Sequence, residues 1–274
     1  MVSTLALPHY TATTGHSMIH YTEAGAGQML VLLHGSLCDY RYWRWQLPAL
    51  AQHYRVVAPS LYGFWPNALD REDPEFSVRR HVEDTVNLLR SLSNDGPVHV
   101  LGHSRGAQVA LEVACNAPEL VRSLTLADPG FRIDEEPPMP SVHADIARML
   151  RQGQLEEAMA GFVDAVNGAG TWRQMTSWFK TMVKDNAYTL LSQLREINLA
   201  IRLEQAAALR CPVLLIGGAH SPPRYGNRLD VLENALLDAT RTTIPLASHG
   251  MNLANPKAFN GAVLSFLDAR RFHR

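Results

Sequence analysis

Ser104 stands in Gly102-His103-Ser104-Arg105-Gly106, directly after the apolar run Val98–Leu101 and directly before a helix-like stretch, Ala107 to Ala117. A serine hydroxyl is a poor nucleophile unless a base sits beside it. A sharp strand-to-helix turn presents such a serine outward, and it needs glycines where the backbone crowds its neighbours. The expected base comes late in the chain. His249, in Pro245-Leu-Ala-Ser-His-Gly-Met, follows the β-rich run Thr242 to Ile244 and precedes a helical stretch, Pro256 to Leu267. A carboxylate is needed to orient that imidazole. Asp128 ends the run Leu124-Thr-Leu-Ala-Asp-Pro-Gly, on a strand expected beside the one carrying Ser104, and also suits a plain Asp-Pro-Gly turn. Asp230 and Glu233 are the other candidates, in a helical stretch that should face solvent. Ser104, Asp128 and His249 form a triad order compatible with acyl transfer. An oxyanion needs backbone donors. The N–H of Arg105 is one. Ser36, with Leu37 as alternative, supplies the other from His34-Gly35-Ser36-Leu37-Cys38, after the run Met29–Leu33.

These residues need a scaffold. Met29 to Leu33, Arg55 to Ala58, Val98 to Leu101, Ser123 to Ala127, Val213 to Ile216 and Thr242 to Ile244 read as short strands. Most are apolar on both faces, as parallel strands covered by helices are. Helical text alternates with them. In Ser77 to Leu92, Val78, Val82, Val86 and Leu89 recur at helical spacing. This alternation predicts an α/β fold with a doubly wound, mostly parallel sheet. Between Gly130 and Leu209 the alternation stops. Pro129, Pro137, Pro138 and Pro140 open an interval that reads as helices over Val142–Arg151, Leu155–Val166, Trp172–Val183 and Leu190–Leu203, with no strand between them. The expected organisation is a core of residues 1–130 and 210–274, with a helical cap, 131–209, inserted after the sixth strand.

The chain has 274 residues and is 46% hydrophobic, enough for a sizeable core. With 25 basic and 26 acidic residues, nothing points to nucleic acid or an anionic membrane as partner. The cysteines Cys38, Cys115 and Cys211 are scattered without metal spacing, which suits a reducing compartment. MVSTLALPHYTATTG lacks the basic and long apolar regions of a signal peptide, and no apolar run spans a bilayer. The expectation is a cytoplasmic protein acting on a small molecule without metal or organic cofactor, with a homodimer as the candidate assembly. Leu37, Phe131 and Trp178 are the predicted substrate-binding residues, with Phe162, Met175 and Phe179 as further wall candidates. Tyr40, Tyr42 and Trp43 begin the first helix after the oxyanion loop. His34 and His103 read as structural.

Taken together, His34-Gly35, the elbow at 102–106, Asp128 and His249 resemble the α/β-hydrolase fold family over nearly the whole chain. In that family the acid usually lies on the loop that here reads Gly217-Gly-Ala-His-Ser-Pro-Pro, without a carboxylate. The resemblance is therefore to the variant with its acid after strand six. That variant includes amide-type hydrolases of pyridine-ring breakdown and cofactor-free ring-cleaving dioxygenases. Asp39-Tyr-Arg-Tyr-Trp also looks like bacterial hydrolases of this kind. The resemblance implies a serine hydrolase of a small ester, amide or related carbonyl compound. The alternatives are a cofactor-free dioxygenase or carbon–carbon bond hydrolase on the same fold, and a non-catalytic ligand-binding protein on a hydrolase scaffold.

Overall fold

Every residue of the strand Met29–Leu33 (β3) is buried. Leu30 and Leu32 join one apolar layer while Val31 and Leu33 join the other. This two-sided burial is why the sequence reads as an uninterrupted apolar run, and it puts β3 at the centre of the sheet. The computed structural model describes residues 7–15, 17–93, 95–134, 136–137 and 142–270. Residues 1–6, which carry part of the reading of the N-terminus, and Pro138 and Pro140 lie outside them.

Flanking β3 are the antiparallel pair β1 (Tyr10–Thr14) and β2 (Ser17–Ala24), then β4 (Arg55–Pro59), β5 (Val98–His103) and β6 (Val121–Ala127). With β9 (Val213–Gly218) and β10 (Ala239–Ile244) they form an eight-stranded sheet in the order β1-β2-β4-β3-β5-β6-β9-β10. From β4 to β10 all pairs are parallel. The β1–β2 hairpin, which the sequence reading omits, pairs antiparallel to β4 at the edge. Its signal is weak for a physical reason. Burial alternates along Ser17–Tyr21, with Met18 61% exposed between buried Ser17 and Ile19, so no apolar run forms.

One face of the sheet carries α2 (Val78–Leu92) and α3 (Arg105–Asn116), together with α10 (Pro223–Ala235). The other carries α1 (Leu47–Leu50) and α12 (Pro256–Ala269), the latter preceded by the single turn α11 (Met251–Ala254). Ser77 starts α2 by accepting the Arg80 N–H at 3.1 Å.

Between β6 and β9 lie α4 (Val142–Arg151), α5 (Leu155–Asn167), α6 (Thr171–Gln174), α7 (Ser177–Asp185), α8 (Thr189–Gln193) and α9 (Leu203–Ala207). Three expectations change here. The segment Trp172–Val183 is not one helix, because Met175 is extended between α6 and α7. Leu190–Leu203 is broken too, and strands do interrupt the interval: β7 (Arg132–Ile133) pairs in parallel with β8 (Ala200–Ile201). Near this break the Glu196 carboxylate accepts from Arg105 at 2.7 Å and from the N–H of Val78 at 2.7 Å, and the backbone beyond it pairs with β7. Tertiary pairing outweighs helix propensity over these few residues.

Candidate active site

The chain runs from β3 out to β4 and returns to β5 on the other side, so the loops after β3 and β5 diverge at a crevice at the carboxyl ends of the strands. Ser104 sits there with φ 54° and ψ −117°, between the end of β5 and the first turn of α3. Such a conformation is strained for a residue with a side chain and is held only by its surroundings. The Ser104 N–H donates to Ala127 O at 3.0 Å, and the Gly130 N–H donates to Ser104 O at 3.0 Å. A Cβ on Gly106 would lie 2.2 Å from the carbonyl oxygen of Leu33, so only glycine lets α3 start this close to β3. Gly35 faces the same constraint: its Cβ would come within 2.9 Å of the Ser104 Cβ.

The turn after β3 brings Leu37 to φ 61°, buried. Among the described residues the N–H groups of Ser36 and Leu37 have no backbone acceptor, and that of Arg105 opens the first turn of α3. The Ser36 hydroxyl donates to Gln193 Oε1 at 2.6 Å, tying the loop to the segment above it.

Asp128 continues directly from β6 at φ 39° and is fully buried. Its N–H donates to Ile216 O of β9 at 2.9 Å. Its Oδ2 receives two donors: the Ser221 hydroxyl at 2.5 Å and His249 Nδ1 at 3.3 Å. Burial pushes the Asp128 carboxyl up to about 6, a rise that the Ser221 hydrogen bond opposes. His249 is itself buried and held below its ordinary value, at about 3, by burial first and then by the charges of Arg224 and Arg228. The resting imidazole is therefore neutral, with one nitrogen turned to Asp128.

His249 is clamped between two rings. Tyr225 stacks on it at 4.2 Å between centroids and 18° between planes, and the His103 ring lies tilted at 42° with its centroid 4.6 Å away. His103 Nε2 also meets the His249 carbonyl oxygen at 2.8 Å, and burial holds His103 at about 3, so it too is neutral. His34 is likewise structural: its Nε2 accepts the Leu61 N–H at 3.0 Å.

Ser104 and His249 meet at the wall of a cavity of about 390 Å³. Among the described residues no hydrogen bond links the Ser104 hydroxyl to the imidazole; such bonds often close only when substrate is bound. Leu37 and Trp178 line this cavity, as do Phe162, Met175 and Phe179 from the helices between β6 and β9. Phe131 lines instead a second, polar cavity of about 100 Å³ on another side of Ser104. Asp230 and Glu233 both pair with Arg241 on the surface, away from the cavities. Tyr40, Tyr42 and Trp43 form a 3-10 turn and are buried. Among the described residues no group of three or more His, Cys, Asp and Glu side chains is placed to hold a metal ion, and no helix is long and apolar enough to cross a membrane.

Three residues escape a reading of the sequence. Ser221 is unremarkable in Ser-Pro-Pro, yet it reaches across 93 positions to Asp128. Its only signal is that a hydroxyl stands in the loop where a carboxylate is usual. Tyr225 and Arg224 sit at the start of α10 and carry no motif.

Comparison with known proteins bears on this geometry. The family model described as "Alpha/beta hydrolase family" matches residues 30–262. A 2-hydroxy-6-oxo-6-(2'-aminophenyl)hexa-2,4-dienoic acid hydrolase of Metapseudomonas resinovorans is 28% identical over 265 residues, covering 91% of this chain and 87% of that protein. An (E)-2-((N-methylformamido)methylene)succinate hydrolase of Acinetobacter baylyi is 23% identical, covering 91% of this chain and 94% of its own. Among solved structures, a serine hydrolase involved in carbazole degradation superposes with a TM-score of 0.76 at 23% identity, covering 96% of this chain and all of that one.

Proposed function

The chain belongs to the alpha/beta hydrolase family, and we propose that it is a serine hydrolase that cleaves a small carbonyl compound, an ester, amide or relative of these, through an acyl-enzyme. The observation that carries this reading is the convergence on one cavity of a strained, outward-held Ser104 and a buried His249 whose Nδ1 faces Asp128 at 3.3 Å.

The steps follow from the protonation states. Neutral His249 gives its Nδ1 proton to Asp128 as a hydrogen bond, which leaves the Nε2 lone pair to take the Ser104 proton. Serine Oγ then bonds to the carbonyl carbon, and the carbonyl oxygen becomes an oxyanion. The N–H groups of Arg105 and of Ser36 or Leu37 stabilise that charge; one such donor contributes about 10²–10³ in rate. The imidazolium formed at this point is stabilised by the Asp128 carboxylate. His249 next delivers its proton to the leaving group as the tetrahedral adduct collapses to an acyl-serine. A water molecule, deprotonated by His249, attacks the acyl carbon and frees the acid and the serine. In this reading the helices between β6 and β9 act as a cap. Phe162, Met175, Trp178 and Phe179 give the large cavity an apolar wall, which suits a hydrocarbon arm of the substrate.

Cleavage of a carbon–carbon bond next to a ketone is a second reading on the same residues. It is favoured by the relative whose name is that of a dienoic acid hydrolase, and by two cavities that flank Ser104 instead of one.

The direct test is active-site labelling with a fluorophosphonate, read by intact mass, together with turnover of p-nitrophenyl butyrate. One adduct on Ser104, abolished in Ser104→Ala and suppressed in His249→Ala, is the expected result. Folded protein that takes no label at Ser104 would falsify the serine mechanism. Paired assays with p-nitrophenyl esters and a vinylogous diketone separate the two readings.

A further inference from the structure

Four guanidinium groups, those of Arg105, Arg132, Arg224 and Arg228, line the small cavity beside Ser104. Clustering cations around a space of about 100 Å³ is unfavourable unless each charge is compensated. Two are compensated within the protein. Arg105 pairs with Glu196 at 2.7 Å, and Arg228 makes a two-pronged contact with Glu136 at 2.8–3.0 Å. Arg132 spends its nitrogens on the backbone carbonyls of Glu136, Pro137 and Asn198. Arg224 differs. Its Nη2 donates to Ala165 O at 2.9 Å and to the Tyr225 hydroxyl at 3.3 Å, while its Nε and Nη1 have no protein acceptor among the described residues. No carboxylate pairs with it among those residues either. Its charge still reaches the catalytic pair, because it acts on both Asp128 and His249.

Glu196 is the only acid among the described residues lining this cavity, and it is already committed to Arg105. The lobe is thus left cationic. Among the described residues, the wall of the large lobe on another side of Ser104 has neither Arg nor Lys nor Asp nor Glu. We infer that the small lobe is a carboxylate subsite with Arg224 as its principal ligand. The substrate is then two-armed: an apolar arm in the large lobe, an anionic arm on Arg224, and the reacting carbonyl between them at Ser104. The Nε–H and Nη1–H groups of Arg224, which have no protein acceptor among the described residues, can each donate a charge-assisted hydrogen bond to a carboxylate oxygen. The bound anion supplies the missing countercharge. It also screens the cation that holds His249 weakly basic, so a substrate with this arm prepares its own base.

The position of the reacting carbonyl rests on the serine reading above, so the test measures binding in a protein that cannot react. In Ser104→Ala, calorimetric titration compares a series of ω-phenylalkanoates with chains of three to seven carbons against their isosteric primary amides. The best acid is expected to bind about 10–100-fold more tightly than its own amide, the usual range for hydrogen bonds to a charged group. Adding Arg224→Gln or Arg224→Met should erase that preference, while Arg241→Gln, on the surface, should leave it intact. A series without any preference for acid over amide overturns the subsite. So does a preference that survives both Arg224 substitutions in protein with an unchanged thermal midpoint. If Ser104 takes no fluorophosphonate but the Arg224-dependent preference is present, the serine mechanism fails and the subsite stands.

Discussion

Replacing Ser221 by alanine should move the acid limb of the pH–rate profile without touching any group that meets the substrate. The Ser221 hydroxyl donates at 2.5 Å to Asp128 Oδ2, the same oxygen that faces His249. Asp128 already lies at about 6 because burial disfavours its charge, and the Ser221 hydrogen bond is the largest effect that opposes the rise. Losing a hydrogen bond to a buried charge removes about 1.5–3 kcal/mol. At about 1.4 kcal/mol per pKa unit, the carboxyl moves up by roughly one to two units. The sign follows from the mechanism: only ionised Asp128 supports imidazolium formation, so activity is lost as pH falls through its pKa. Turnover of p-nitrophenyl butyrate, as kcat/KM against pH, should show the limb shifting from near 6 to about 7–8. At pH 6 the loss is about 5- to 50-fold, and above about pH 9 the two proteins converge, because both then hold a carboxylate. Ser221→Thr, which keeps the hydroxyl, should leave the limb in place. An unmoved limb in Ser221→Ala, or an equal loss at every pH, would refute the assignment of Asp128 as the acid whose ionisation is being read.

Two further substitutions separate structural from chemical roles. Asp128→Asn should lower kcat by about 10⁴, while Asp230→Asn, paired with Arg241 on the surface, leaves it unchanged in the same assay. Stability should move the other way. The folded value of Asp128 lies above its ordinary 3.8, so its contribution is present below that pH and is lost as pH rises through about 6. Urea unfolding at pH 8 should therefore find Asp128→Asn more stable than the parent, by up to about 3 kcal/mol. Glu196→Gln leaves the buried Arg105 guanidinium without its countercharge. Urea midpoints should register a loss of about 3–5 kcal/mol, most of it recovered by combining Glu196→Leu with Arg105→Met.

Legibility in the sequence follows the range of the interactions. Chemistry fixed by neighbours along the chain is visible there: the glycines around Ser104, the buried strands β3, β5, β6 and β9, and the turn residues that end β6 at Asp128. The hairpin β1–β2 is hidden because its outer residues face water and dilute the apolar pattern. The break after Glu196 is hidden because the chain beyond it pairs with β7, which lies far back in the sequence.

Local stereochemistry and periodicity in the sequence by themselves determine the alternating α/β architecture, the strand–turn–helix at Ser104 and the candidacy of Asp128 and His249, since each depends on a few adjacent residues. Only the tertiary structure decides the rest. The order of the strands places the end of β6 against β9, and so gives Asp128 both His249 and the Ser221 hydroxyl. The packing of α10 lays Tyr225 on the imidazole and leaves Arg224, among the described residues, without a carboxylate at the small lobe. Burial and charge compensation depend on what lies across space, and no spacing along the chain encodes that.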